Sequence, residues 1–128
     1  DQPLPVFKSS SNKREWLHVS DHCRAIDLIL HKGRVGEVYN IGSGLEKSVD
    51  QIANEILTIL KKPVSLKKIV PDRPGHDTRY LLNCRKITKE LSWKPKVDWH
   101  KGIIETVGWY KNNPRWWQPL LAKSNSWK

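Results

Sequence analysis

A loop at residues 71–80, with the sequence PDRPGHDTRY, is the feature that most constrains how this chain can fold. Its two prolines lack a backbone N–H and its glycine adopts positive φ at little cost, so the segment cannot continue a helix or a central strand. The apolar pattern of residues 64–70 predicts a strand before the loop, and a short helix is predicted from Asn83. The loop therefore lies between two regular elements, a position in which binding groups are commonly found.

The loop concentrates charge, since half of its ten residues are acidic or basic. These residues are Asp72, Arg73, His76, Asp77 and Arg79. Arginine presents a planar fork of donors that matches a phosphate group, so an anion-binding loop is one interpretation. An ordinary turn with solvated charges is the other, and the local composition does not decide between them.

The net charge of +10 is concentrated around this loop. Residues 61–101 contain 12 Lys and Arg against 4 Asp and Glu, whereas residues 1–60 contain 7 against 8. A field of this sign attracts anions. The partner suggested by charge alone is a nucleic acid, a phosphorylated small molecule or an acidic protein domain.

Length and composition set further limits. A chain of 128 residues supports one domain with a modest core. It contains no apolar run long enough for a membrane span, and its first residues lack the features of a signal peptide, so it is interpreted as an excerpt or a processed product. The isolated Cys23 and Cys84 favour neither a disulfide framework nor a zinc site. Cys23 is predicted to be a buried free thiol, and a reducing cytoplasm is the predicted compartment.

Hydrophobic periodicity predicts alternating strands and helices. Local signals support the helices, and the clearest is the pair Ser48 and Gln51, which has the spacing of a capping box. In order, the predicted elements are an extended segment at 3–7, a strand at 14–19, a helix capped by Ser20 or Asp21 and ending at Gly33, a strand at 37–41, a helix from Ser48 to Pro63, a strand at 64–70, a short helix after Asn83 and a helix at 99–112. This order predicts an α/β fold that includes pieces of a parallel sheet.

The first predicted helix carries more apolar surface than a small domain readily buries. Leu28, Ile29 and Leu30 are consecutive, so more than one face of the helix is apolar. We interpret this helix as packing against protein that is not part of this chain.

Motifs for catalysis, cofactors and metals are weak. The Gly42-Ser43-Gly44 turn lies between a predicted strand and a predicted helix, but Lys47 occupies the third glycine position of the dinucleotide fingerprint. No tyrosine is followed four residues later by lysine. His18 and His22 lack a third metal ligand at a suitable spacing. The sequence therefore predicts no catalytic, cofactor-binding or metal-binding residue in this chain.

Several segments together resemble a known family. Residues 14–25 (REWLHVxDHCRA) and 38–42 (VYNIG) resemble extended short-chain dehydrogenase/reductases, and residues 72–80 (DRPGHDxRY) resemble dTDP-glucose 4,6-dehydratases in particular. Residues 86–95 and 102–110 continue the match. It covers nearly the whole chain but only the C-terminal portion of that family's protein, so residues 1–121 are assigned to a nucleotide-sugar-binding portion and 122–128 to a flexible tail.

The resemblance implies a function for the complete enzyme. Members of the family bind NAD on an N-terminal Rossmann domain, oxidise the sugar at C4, eliminate water across C5–C6 and return the hydride to C6. Their C-terminal portion mainly holds the nucleotide diphosphate. By resemblance, Arg14 and Arg73 contact the phosphates of a dTDP-sugar, and Asn40 and His76 lie in the same site.

The resemblance also implies what the chain lacks. The cofactor loop and the catalytic residues belong to the other portion of the enzyme, so this chain alone is predicted to be inactive. Self-association or contact with a Rossmann half is expected. The turn at residues 8–11 (KSSS) departs from the family, which usually has glycines there.

Three alternatives remain at this point: a fragment of a related epimerase or decarboxylase, a basic module that binds nucleic acid, and a non-catalytic interaction domain. The selective match at residues 72–80 argues against the first. Broad, salt-sensitive affinity for any polyanion would identify the second. Exposure of the face that meets the Rossmann half would identify the third.

Overall fold

In a computed structural model, the backbone is described for residues 2–125 and the side chains as far as residue 121. The chain forms two units, Asp1–Val97 and Asp98–Lys128, and we describe each by itself. The predicted portion 1–121 includes residues of both units.

Four short strands form two pairs in the first unit. They are β1 (Leu4–Phe7), β2 (Lys13–Glu15), β3 (Glu46–Ser48) and β4 (Lys67–Val70). Strands β1 and β4 are parallel, with Val6 opposite Ile69, and β2 and β3 are antiparallel, with Arg14 opposite Lys47. The predicted parallel pairing is thus confirmed at β1 and β4.

Three helices complete the first unit: α1 (Val19–Lys32), α2 (Val49–Ile59) and α3 (Arg85–Leu91). The capping box of α2 is present in both directions. The Gln51 amide donates to Ser48 Oγ over 3.1 Å, and the Ser48 amide donates to Gln51 Oε1 over 2.8 Å. Each hydrogen bond satisfies a backbone donor that the first turn of a helix would otherwise leave unpaired.

The other helix caps differ from prediction. The N-cap of α1 is His18, whose Nδ1 accepts from the Ser20 amide over 3.3 Å, so neither Ser20 nor Asp21 occupies that position. The N-cap of α3 is Cys84 rather than Asn83. The Asn83 side chain still accepts from the Arg85 amide over 3.1 Å, so it satisfies one donor of the first turn.

Three strand predictions need correction. Residues 37–41 are neither helix nor strand, since they form no ladder with any described residue. The predicted strand at 14–19 is paired only as far as Glu15. The predicted strand at 64–70 begins with a 3-10 turn, Val64–Leu66, and is a strand only from Lys67. An apolar alternating pattern favours extended backbone, but a strand also requires a hydrogen-bonded neighbour.

The second unit contains α4 (Trp99–Asn112) and α5 (Pro114–Asn125). The limits of α4 are those predicted. The rings of Trp109 in α4 and Trp116 in α5 meet edge to face with their centres 5.1 Å apart, so these tryptophans pack between the two helices. Helix α5 includes the backbone of residues 122–125, and residues 126–128 of the predicted tail lie outside the described residues.

The core of the first unit forms where α1 meets α3. Ala25, Ile87 and Trp93 are buried there, and Leu28 and Ile29 pack against them. These contacts use one face of α1. They leave the opposite side of that helix unburied within the described residues.

That opposite side is an exposed apolar stripe, defined here as Val19, Cys23, Ile26 and Leu30. Val19 is 67 %, Ile26 50 % and Leu30 78 % exposed. Cys23 is exposed as well, so the prediction of a buried thiol is wrong. The apolar pattern of α1 marks two faces, and Cys23 lies on the one that no described residue covers.

A buried carboxylate connects α1 to the end of the first unit. Asp21 is 1 % exposed and accepts from the amides of Lys96 and Val97, over 3.0 and 2.9 Å, and from Arg24 Nη1 over 2.6 Å. Burial alone would raise the pKa of Asp21, but these backbone and guanidinium donors outweigh it and hold the pKa below its ordinary value. The carboxylate therefore stabilises the fold in its ionised form.

Replacing Asp21 with alanine should lower the free energy of unfolding by roughly 3 kcal/mol, because two backbone donors and a guanidinium lose a buried acceptor. Urea denaturation followed by circular dichroism measures this loss. Asp27→Ala, at an exposed position of the same helix, is the matched control and should change the free energy of unfolding little. A similar effect in the two variants would contradict the assignment.

The contribution of Asp21 should also depend on pH. Since the folded state lowers its pKa, the stabilisation is fully present above the ordinary value of 3.8 and is lost as the pH falls through the lower folded value. The difference in the free energy of unfolding between the unmodified chain and Asp21→Asn should therefore narrow in acid. A difference that stays constant between neutral pH and pH values below 3.8 would argue against an ionised carboxylate.

Candidate functional site

The loop at residues 71–80 follows β4 and then runs beside β2. The Lys8 amide donates to the Val70 carbonyl over 3.0 Å at the beginning of the loop. Near its end, the Lys13 amide donates to the Thr78 carbonyl over 3.0 Å and the Tyr80 amide donates to the Lys13 carbonyl over 3.3 Å. Backbone hydrogen bonds thus hold both ends of the loop against the N-terminal segment.

Arg14 extends from β2 to the loop. Its Nη2 donates to the Asp77 carbonyl and its Nη1 to the Lys13 carbonyl, each over 2.7 Å. The guanidinium also lies over the ring of Tyr80, 4.9 Å from the ring centre. A guanidinium has five N–H donors, so these two hydrogen bonds orient Arg14 and leave donors for an anion.

The Tyr80 hydroxyl is influenced by one carboxylate and two arginines. It donates to the Asp77 carboxylate. That hydrogen bond is the main reason why the pKa of Tyr80 is raised, while the nearby charges of Arg14 and Arg73 act in the opposite direction. Arg73 is exposed and forms no hydrogen bond or ion pair with the described residues. Arg14 therefore contacts the Tyr80 ring, and the charge of Arg73 acts electrostatically on the same phenol group.

His76 lies on the inner side of the loop, with 10 % of its side chain exposed. Its Nδ1 is 3.0 Å from Ser9 Oγ, and its ring meets the Phe7 ring edge to face at 5.1 Å. The Asp72 carboxylate is 3.7 Å from the same nitrogen. His76 is consequently packed between β1 and the loop.

Asn40 lies elsewhere in the first unit. Its side chain is exposed and donates to the Asn83 carbonyl over 3.3 Å, just before α3. Among the described residues, Asn40 shares no hydrogen-bond or ion-pair partner with Arg14, Arg73 or His76. The structure thus groups three of the predicted residues around the loop, and a common site that includes Asn40 stays a prediction.

Arg79 has a structural partner in Glu46. Its Nε and Nη2 donate to the two carboxylate oxygens of Glu46 over 2.6 and 2.7 Å. This hydrogen bonding raises the pKa of Arg79 and lowers that of Glu46. A bidentate pair of this kind neutralises Arg79 and attaches the loop to β3.

Sequence reasoning missed two residues, Ser9 and Glu15, that organise this region. Ser9 contacts two side chains of the loop. Glu15 accepts from the Gly44 amide over 2.5 Å and from the Leu82 amide over 3.0 Å. The departure from the family at residues 8–11 was the available signal for Ser9, whereas no local pattern indicated the partners of Glu15.

Gly42 is packed closely against Glu15. A Cβ at position 42 would lie 2.5 Å from Glu15 Oε1. The carboxylate thus occupies the space beside the Gly42-Ser43-Gly44 turn and accepts from the Gly44 amide. A turn faced by a carboxylate does not suit the pyrophosphate of a dinucleotide, since the two anions would repel each other.

A separate cavity of about 590 Å³ lies between this turn and α3. Cys84 and Trp93 contribute to its lining, and none of Arg14, Asn40, Arg73 and His76 does. The cavity and the loop are therefore different places on the first unit. The described residues contain no cluster of three or more potential metal-binding side chains. Their helices include none with the length and apolarity needed to cross a membrane.

Known proteins similar to this chain are enzymes that act on nucleotide sugars. The family model described as GDP-mannose 4,6 dehydratase matches residues 1–106. A dTDP-glucose 4,6-dehydratase from Streptomyces niveus is 50 % identical over 121 residues, which is 94 % of this chain and 36 % of that protein. The chain thus spans little more than a third of the length of this relative.

Solved structures of dTDP-glucose 4,6-dehydratases contain a portion with the same fold as this chain. The dTDP-glucose 4,6-dehydratase from Bacillus anthracis, in complex with NAD, is 48 % identical with a TM-score of 0.86, over 93 % of this chain and 38 % of that one. The enzyme from Streptomyces venezuelae, with NAD and TYD bound, is 44 % identical with a TM-score of 0.88, over 93 % and 37 %. The predicted α/β fold of an extended short-chain dehydrogenase/reductase is thereby confirmed. Matched along most of its length by sequence and by fold, the chain belongs to the GDP-mannose 4,6-dehydratase family.

Proposed function

We propose that this chain is the portion of a dTDP-glucose 4,6-dehydratase that holds the nucleotide diphosphate of the dTDP-sugar. The observation that carries the proposal is that Arg14 is held against the loop by the Asp77 carbonyl and the Tyr80 ring, while the loop itself carries the exposed Arg73, whose charge acts on the same phenol group. Two guanidinium groups suit a diphosphate because each offers parallel donors to phosphate oxygens.

The two arginines differ in how they are held, and both states suit a binding site. Arg14 is oriented by two backbone carbonyls and by the Tyr80 ring, so less side-chain entropy is lost when it binds an anion. Arg73 is exposed, and no described residue neutralises it. Arg79, by contrast, is paired with Glu46 and serves the structure of the loop.

In the complete enzyme, this portion contributes to catalysis by positioning the sugar and supplies no catalytic residue. Binding energy from the nucleotide holds the sugar in place, and a sugar held in place reacts more readily because its translational freedom is already lost. NAD is present in solved structures of related enzymes. The Gly42-Ser43-Gly44 turn does not fit that cofactor, and we propose that NAD and the catalytic residues belong to another portion of the enzyme.

We propose further that the exposed apolar stripe of α1 is covered by protein. A soluble domain seldom leaves a contiguous apolar surface in water unless that surface is an interface. Val35 and Val38, just after the helix, are also exposed and enlarge the apolar surface. In the complete enzyme the rest of the protein covers it, and in the isolated chain a second copy does. The proposed compartment is the cytoplasm, where the two free cysteines stay reduced.

The diphosphate proposal predicts a preference for dTDP over dTMP, because two arginines face the phosphates. Arg73→Ala should weaken dTDP binding by roughly 1.5–3 kcal/mol, the range for a hydrogen bond to a charged group. Arg85→Ala is the matched control, since Arg85 is also an exposed arginine of the basic segment but lies outside the loop. Isothermal titration of both nucleotides into the unmodified chain and the two variants measures these affinities.

Equal losses in the two arginine variants, or equal affinity for dTDP and dTMP, would contradict the proposal. Such a result, together with strong and salt-sensitive binding of any polyanion, would indicate a diffuse basic surface instead.

The interface proposal predicts that the isolated chain self-associates. The double substitution I26E/L30E should shift it toward monomer, because two carboxylates would be buried at the interface without partners. Lys32→Glu, at an exposed polar position of the same helix, should leave the association unchanged. Sedimentation velocity over a range of concentrations distinguishes these outcomes. A compact monomeric unmodified chain that binds no hydrophobic dye would contradict the proposal.

A further inference from the structure

Ser9 joins two residues of the loop that lie far from it in sequence. Its amide and its hydroxyl both donate to Asp72 Oδ1, over 2.9 and 2.7 Å. Its oxygen is also 3.0 Å from His76 Nδ1. One small residue of the turn at 8–11 therefore contacts the two loop residues on either side of the sequence Arg73-Pro74-Gly75.

The proton positions in this network follow from the chemistry of its members. The hydrogen bonds from Ser9 lower the pKa of Asp72, so at neutral pH the carboxylate is ionised and can only accept. A serine hydroxyl has a single hydrogen, and here it is donated to Asp72. The Ser9 oxygen can then only accept from His76, so Nδ1 of the neutral imidazole must carry the ring proton.

The same network affects Arg73. Asp72 is its neighbour in sequence and would be a ready ion-pair partner. Ser9 directs both of its donors to Oδ1 of this carboxylate, and Arg73 forms no ion pair with it or with another described residue. The positive charge of Arg73 is therefore available to an anionic ligand.

We propose that Ser9 is a positioning residue of the site: through Asp72 it keeps Arg73 unpaired, and through His76 Nδ1 it holds the ring as the Nδ1–H tautomer. The role in ligand binding rests on the proposed diphosphate site. The role in proton placement does not, because it concerns the ligand-free chain.

Nitrogen NMR of the imidazole tests the proton placement without a ligand. The neutral His76 ring of the unmodified chain should show the Nδ1–H tautomer. In Asp72→Ala, the Ser9 hydroxyl is free to donate to Nδ1, so a substantial population of the Nε2–H tautomer should appear. The Nε2–H tautomer in the unmodified chain, or an unchanged tautomer in Asp72→Ala, would overturn the proposal.

A double-mutant cycle tests the effect on binding. Ser9→Ala should weaken dTDP binding about fivefold, as expected for the loss of one ordinary hydrogen bond. In the Asp72→Ala background the same substitution should change affinity little, since Ser9 acts through Asp72. Ser9→Thr keeps the amide and the hydroxyl and should retain the affinity. Ser11→Ala, at an exposed position of the same turn, is the matched control.

An equal loss from Ser9→Ala in both backgrounds, or no recovery in Ser9→Thr, would refute the positioning role. If the unmodified chain bound no dTDP, the diphosphate proposal would fail, whereas the tautomer measurement would still decide the Ser9 network. If Ser9→Ala did not fold, the unmodified chain, Ser9→Thr and Asp72→Ala would supply the decisive comparisons.

Discussion

Backbone pairing at Lys13 is the constraint on which the candidate site depends. On one side Lys13 lies opposite Ser48 in the antiparallel pair of β2 and β3, and on the other it forms a parallel bridge with Arg79. The loop at residues 71–80 contains two prolines and cannot form a regular ladder of its own. The position of the end of the loop is therefore fixed by its backbone hydrogen bonds to Lys13 in β2. Arg14 follows Lys13 in that strand, so the same pairing places Arg14 beside the loop.

The charges of the loop divide into those that maintain its structure and those that remain available. Glu46 neutralises Arg79, while Ser9 and Tyr80 occupy the carboxylates of Asp72 and Asp77. Among the charged arginines and carboxylates of the loop, Arg73 alone has no hydrogen-bond or ion-pair partner among the described residues. A site for an anion requires such an asymmetry, because a cation that is already paired gains little from a new partner.

The two faces of α1 show how a chain that spans part of its relatives' length can be folded and still have an apolar surface that no described residue covers. One face is stabilised internally by the buried Asp21 and by packing around Ala25. The other carries the exposed apolar stripe. Helices that are apolar on two faces are typical of elements buried between layers, and here the described residues supply only one of those layers.

Local features were predictable from sequence because neighbouring residues determine them. The capping box at Ser48 depends on residues three apart, the loop at 71–80 on its prolines and glycine, and the limits of α4 on a periodic pattern bounded by turn residues. The family followed from the motif at residues 72–80, and it implied Arg14, Asn40, Arg73 and His76 as site residues, of which the structure does not bring Asn40 to the loop.

Only the tertiary structure decided which distant groups meet. Ser9 reaches Asp72 across 63 positions, and Arg79 reaches Glu46 across 33. Residues 37–41 have a strand pattern but pair with no strand among the described residues. The exposure of Cys23 depends on which face of α1 is covered. Strand pairing, ion pairing and burial depend on the folded chain as a whole. A local sequence pattern can therefore predict a helix, a strand or a charged loop, but it does not determine which distant residue pairs with it.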